Sequence, residues 1–131
     1  MPFEYKMLVL MTIIFLLAWV PTSIAKIKAF GFKWMLSNRD PLVGRELPAW
    51  GARAERAYAN LKDYFPGFIV AILLLGLTNG FDEYTTWASG LYVAGRILHY
   101  LFYSLGNSQM RFLTYVVAMV SNLFLLLKVV L

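Results

Sequence analysis

The stretch MLVLMTIIFLLAWVPTSIA, Met7 to Ala25, has no charged residue. A helix needs roughly 20 mostly apolar residues to cross the hydrocarbon core of a bilayer. Within lipid only a helix or a closed barrel satisfies every backbone polar group. The stretch therefore reads as a spanning helix. Further apolar runs follow at about 52–79, 86–104 and 111–131, so the chain is expected to cross the membrane four times. A cleaved signal peptide is the rival for the first run, because TSIA ends in small residues. The preceding MPFEYK opposes that reading, since it carries Glu4 and one lysine rather than net positive charge.

Composition agrees. Of the 131 residues 60% are hydrophobic, against about 45–50% in an ordinary soluble domain. The expectation is an all-α membrane protein with a single integral domain, 1–131. Without cysteine, and with His99 as the lone histidine, the chain offers no thiol nucleophile, no disulfide and no multi-histidine metal site. The net charge of +5 is explained by the membrane rather than by nucleic acid. Seven cations lie between Lys26 and Arg56, whereas the turn NGFDEY has two acids and no base. By the positive-inside rule the long loop 26–51 is cytoplasmic and both termini lie on the other side. Glycines and prolines break that loop repeatedly. Pro21 is expected to kink the first span, and Pro66 to kink or break the second. The second span, at 1.5 Å per residue, is longer than the hydrocarbon core, so its first turns project into the interface.

Those first turns carry the candidate chemistry. In ARAERAYANLKDYFPGF, Arg53, Arg56, Asn60 and Asp63 are spaced 3, 4 and 3 and form one stripe on a helix. Glu55, Tyr58 and Lys62 fall elsewhere on its circumference. In GRILHYLFY, Arg96, His99 and Tyr103 share a face, and in RFLTY so do Arg111 and Tyr115. A charge at membrane depth needs a partner or a wet cavity. Arg96 is accordingly either an interhelical ion pair, with Asp63 or another acid, or part of a lined pocket. His99 alone would ordinarily be a satisfied buried histidine, and Arg111 alone an interfacial anchor. Together the stripes lie toward the cytoplasmic ends and supply guanidinium, phenol, amide and carboxylate. That inventory suits a small, carboxylate-rich, water-soluble ligand held against lipid. It does not suit a metal.

ERAYANLKDYFP, GRILHYLFY and RFLTY, in this order, resemble the signature segments of helices two, three and four in the MAPEG family (membrane-associated proteins in eicosanoid and glutathione metabolism). The loop NRDPLVGRELPAWG resembles bacterial members. The resemblance covers essentially the whole chain. It implies a four-transmembrane-helix bundle protomer, a homotrimer, and residence in a bacterial inner membrane. It also implies glutathione as co-substrate, bound between protomers, and a lipophilic second substrate arriving from the bilayer. Carried over by position, Arg53, Arg56, Asn60, Asp63, His99, Tyr103 and Tyr115 would bind glutathione. Arg111 would stabilise its thiolate, and Arg96 would be a structural buried charge. The implied activity is that of a glutathione transferase or peroxidase. The sequence departs from human-type members at Ala59, where they carry an arginine. Two alternatives stay open on the residues alone: a non-catalytic accessory, structural or lipid-binding subunit of the same fold, and a small transporter, against which the lack of an inverted repeat argues.

Overall fold

A computed structural model describes all of residues 1–131, and the chain is helical throughout, without strands. The elements are α1 (Phe3–Leu17), α2 (Val20–Phe30), the single turn α3 (Phe32–Met35), α4 (Ala49–Leu77), α5 (Glu83–Leu105) and α6 (Ser108–Val130). Three segments are long and apolar enough to cross a membrane: Phe3–Phe30, which joins α1 and α2, then α4 and α6. α5 is 23 residues long but is diluted by Arg96, His99 and its threonines.

The helix ends correct the boundaries read from sequence. The first span begins at Phe3 and extends to Phe30, five residues into the segment expected to be loop. Its interruption falls at Ala18 and Trp19, because a proline clashes with the carbonyl four residues before it. Pro21 itself sits in the first turn of α2, where a missing N–H costs nothing. Pro66, by contrast, lies inside α4, which runs on without a break to Leu77. Its ring removes the one bond that would reach the carbonyl of Lys62.

The core lies where α1, α4, α5 and α6 meet. Phe68 of α4 stacks on Tyr92 of α5 at 4.1 Å between ring centroids. Around them Met11, Leu61, Ile72, Leu75 and Leu125 are fully or almost fully buried. α5 and α6 come closest because Gly95 has no side chain: a Cβ there would stand 3.2 Å from the Cβ and N of Ala118 and from the carbonyl of Thr114. Small residues permit such close backbone approach in membranes, where the hydrophobic effect does not drive helices together.

The end of the bundle opposite the long loop is tied by polar groups. Glu4 is 2% exposed. It accepts hydrogen bonds from Thr85 Oγ1 at 2.6 Å and Thr86 Oγ1 at 3.0 Å, which fixes α1 against the start of α5. Asp82 caps α5 by accepting from the Thr85 N–H at 2.9 Å. It also forms an ion pair with Lys128 of α6, which joins the start of α5 to the end of α6. The Lys128 ammonium, and then the Thr85 N–H, hold the Asp82 carboxyl below its ordinary value. A depressed carboxyl stabilises the fold above its unfolded-state value and loses that contribution as pH falls through the lowered one. Acidification below about pH 4 is therefore expected to loosen this end. The measurement is the thermal midpoint in detergent against pH. The loss in that range should be shallower for Asp82→Asn, and equal losses would remove the assignment.

A cationic groove at the loop end of the helices

The antiparallel course of the helices brings the N-terminus of α4, the C-terminus of α5 and the N-terminus of α6 to one end. α5 stops there because Gly106, at φ +85°, turns the chain left-handed, a conformation that costs glycine little. Asn107 then caps α6 by accepting from the Met110 N–H at 3.1 Å. This tight turn sets Tyr103 and Arg111 side by side.

Tyr103 is the centre of the site. The Arg111 guanidinium carbon lies 5.1 Å from its ring centroid and that of Arg56, from α4, 5.9 Å. Both are within cation–π reach. Arg53 donates from Nε to the Ser104 carbonyl at 3.0 Å, tying α4 to the end of α5. Arg53, Tyr103 and Arg111 line a groove of about 120 Å³, together with Gly106, Asn107 and Ser108. None of the three arginines is paired with a carboxylate, for the chain has only two ion pairs, Lys26–Glu55 and Lys128–Asp82. A guanidinium stays protonated at all ordinary pH, so the groove holds uncompensated positive charge beside donors and an aromatic face.

A second layer lies behind it, deeper between the helices. His99 is fully buried, with Nδ1 3.0 Å from the Arg111 carbonyl. A carbonyl only accepts, so Nδ1 carries a proton. Nε2 has no partner. The imidazole lies among aromatic rings, with Tyr103 edge-on at 5.6 Å and Tyr115 at 5.9 Å between ring centroids. His99 thus holds the backbone from which Arg111 projects. Arg96, 2% exposed, donates from a terminal nitrogen to Asn60 Oδ1 at 2.9 Å; its Nε is unpartnered. The ion pair between Arg96 and Asp63 is not formed. Asn60 takes that place, because it lies on the side of α4 turned to α5, while Asp63 is exposed.

The structure therefore groups Arg53, Arg56, Tyr103 and Arg111 at the groove. It places Asn60, Arg96, His99 and Tyr115 in the layer behind, and leaves Asp63 apart from both. Sequence reasoning missed Tyr64, which meets Tyr115 edge-on at 5.5 Å. It also missed the groove-lining Asn107 and Ser108, for which the turn after Gly106 was the available signal. Tyr92, about one turn before Arg96 on α5, likewise has a buried and unpartnered hydroxyl.

The chain has no group of histidine, cysteine or acidic residues that could hold a metal. Comparison with curated proteins gives no match. Comparison with family profiles matches residues 5–131. With that match spanning almost the whole length, the chain belongs to the MAPEG family.

Proposed function

We propose that the protein is a glutathione-dependent membrane transferase or peroxidase acting on lipophilic electrophiles. One observation carries the reading: Arg53, Arg56 and Arg111 converge around Tyr103 with no carboxylate of the chain to neutralise them. A ligand with two carboxylates, such as glutathione, fits that excess charge through charge-assisted hydrogen bonds. When bound, glutathione would supply a nucleophilic thiolate. Arg111 lowers the thiol pKa by fixed positive charge, and His99 positions it through the main chain. Arg53 and Arg56 bind carboxylate, and Asn60, Tyr103 and Tyr115 orient the peptide. Asp63, exposed and unpaired, is suited to the ligand's ammonium or to a neighbouring copy of the chain.

The same reading makes α5 the fourth spanning helix of a bundle protomer, and the assembly a homotrimer in a bacterial inner membrane. The loop end faces the cytoplasm, where glutathione is dissolved, and the second substrate enters from lipid. Binding only to the folded state raises apparent stability by mass action. Millimolar glutathione is therefore expected to raise the thermal midpoint of the purified protein and to produce an ultraviolet thiolate band. The absence of both effects would remove the reading.

A second reading, an accessory or lipid-binding subunit, is favoured by Arg53 and Arg96 already being engaged in interhelical bonds. Under it, glutathione changes nothing.

A further inference from the structure

α4 presents a second stripe, independent of the thiol-ligand reading. Glu55, Tyr58, Ala59 and Lys62 are spaced 3, 1 and 3 and face away from α5, toward α2 and α3. With Trp19, Thr22, Ser23 and Lys26 of the first span, Met35 at the end of α3 and Arg39 beyond it, they line a polar groove of about 540 Å³. It is separate from the groove at Tyr103 and shares no lining residue with it.

Its charges are unbalanced. Lys26 pairs with Glu55 at 2.6 Å, which leaves Lys62 and Arg39 without a carboxylate. Lys62 rests over the Tyr58 ring at 4.8 Å. Arg39 is held in a left-handed backbone conformation, φ +60°. The winding around it is secured by the Trp34 Nε1 bond to the Asp40 carbonyl at 2.8 Å and the Arg39 Nε bond to the Met35 carbonyl at 3.2 Å.

Thr22 supplies an independent sign. It is 5% exposed, and its Oγ1 has no hydrogen-bond partner. Elsewhere the hydroxyls of Thr12, Thr114 and Ser121 donate to the carbonyl four residues earlier. For Thr22 that carbonyl belongs to Ala18 and accepts the Tyr100 hydroxyl instead, at 2.8 Å. A buried hydroxyl without a partner is costly, and Thr22 is among the residues that line the cationic groove.

We propose that this groove binds a phosphate group. A tetrahedral oxyanion can accept hydrogen bonds from several directions at once. Here Arg39, Lys62, Lys26 and the Thr22 hydroxyl come from three segments of the chain. Trp19, a residue type suited to the headgroup level, lines the same groove, which favours the phosphate of an anionic phospholipid. A soluble phosphate shares the chemistry.

The test uses the full chain in dodecyl maltoside micelles, which carry no phosphate, with thermal midpoint as readout. One arm adds phosphatidylglycerol to the micelles, and the other titrates inorganic phosphate into micelles without added lipid. A rise in the first arm alone assigns the site to a lipid headgroup; a rise in the second assigns it to a soluble phosphate. In the responding arm, Lys62→Gln and Thr22→Val should each weaken apparent affinity about tenfold, as for one charge-assisted hydrogen bond lost. Thr22→Val is the sharper variant, since deleting an unpartnered hydroxyl leaves the fold as stable or more so. No rise in either arm, or a rise that both variants retain in full, overturns the proposal. Neither result depends on glutathione binding.

Discussion

Arg111→Ala is expected to abolish the ultraviolet thiolate band and to lower kcat/KM for glutathione-dependent turnover by about 10²–10³-fold. Removing one preorganised electrostatic stabiliser typically has that effect. The fold should survive the change. Arg111 is half-buried, lies in no ion pair, and contributes to the bundle through its backbone carbonyl, which His99 binds. Alanine keeps that carbonyl. The measurement is a glutathione titration followed by absorbance, beside turnover with a lipophilic electrophile. An unchanged band in the variant would show that the thiolate is stabilised elsewhere. His99→Phe separates position from charge: it should lower turnover while leaving a band, because Arg111 is still present but no longer anchored.

Asn60→Leu should carry the largest stability effect in the chain. The Arg96 guanidinium is buried and has Asn60 as its one side-chain partner. Removing an acceptor from a buried charge costs about 1.5–3 kcal/mol, more where no water can replace it. Arg96→Met removes the charge itself, and replacing buried ionic groups by packed apolar ones is often neutral or stabilising. Two results are therefore expected from chemical or thermal denaturation in detergent. Asn60→Leu alone is strongly destabilised, and the double variant Asn60→Leu/Arg96→Met recovers most of the loss. If the double variant is as weak as the sum of both single changes, the two residues do not act as a pair. The burial of Arg96 beside Asn60, rather than beside an acid, makes the asymmetry between these variants large.

Much of this was readable along the chain. Apolar run lengths gave the long helices within a few residues at most ends, and three of those segments are apolar enough to cross a membrane. The spacing of Arg96, His99 and Tyr103 set them on one face, whereas of the stripe Arg53, Arg56, Asn60 and Asp63 the last stands apart from the groove and from the layer behind it. Pro21 marked the break in the first span, although the interruption falls before it. These are properties of a single helix, whose 3.6-residue period fixes the angle between any two of its side chains.

What the sequence could not supply is the rotation of one helix against another. That Asn60 rather than Asp63 meets Arg96 is a matter of tertiary packing. So are the sharing of the Tyr103 face by Arg56 and Arg111, and the grip of His99 on the Arg111 main chain. Glu4, read along the chain only as an acid that argues against a signal peptide, became a buried tie once Thr85 and Thr86 were brought to it. The rotations are set by side-chain volume where the helices touch, most closely at Gly95 and Ala118. Sequence alone determined a helical membrane chain of the MAPEG family with cationic stripes at one end. Packing decided which stripes meet, because the contact that settles a helix's rotation lies on a neighbour far away in sequence.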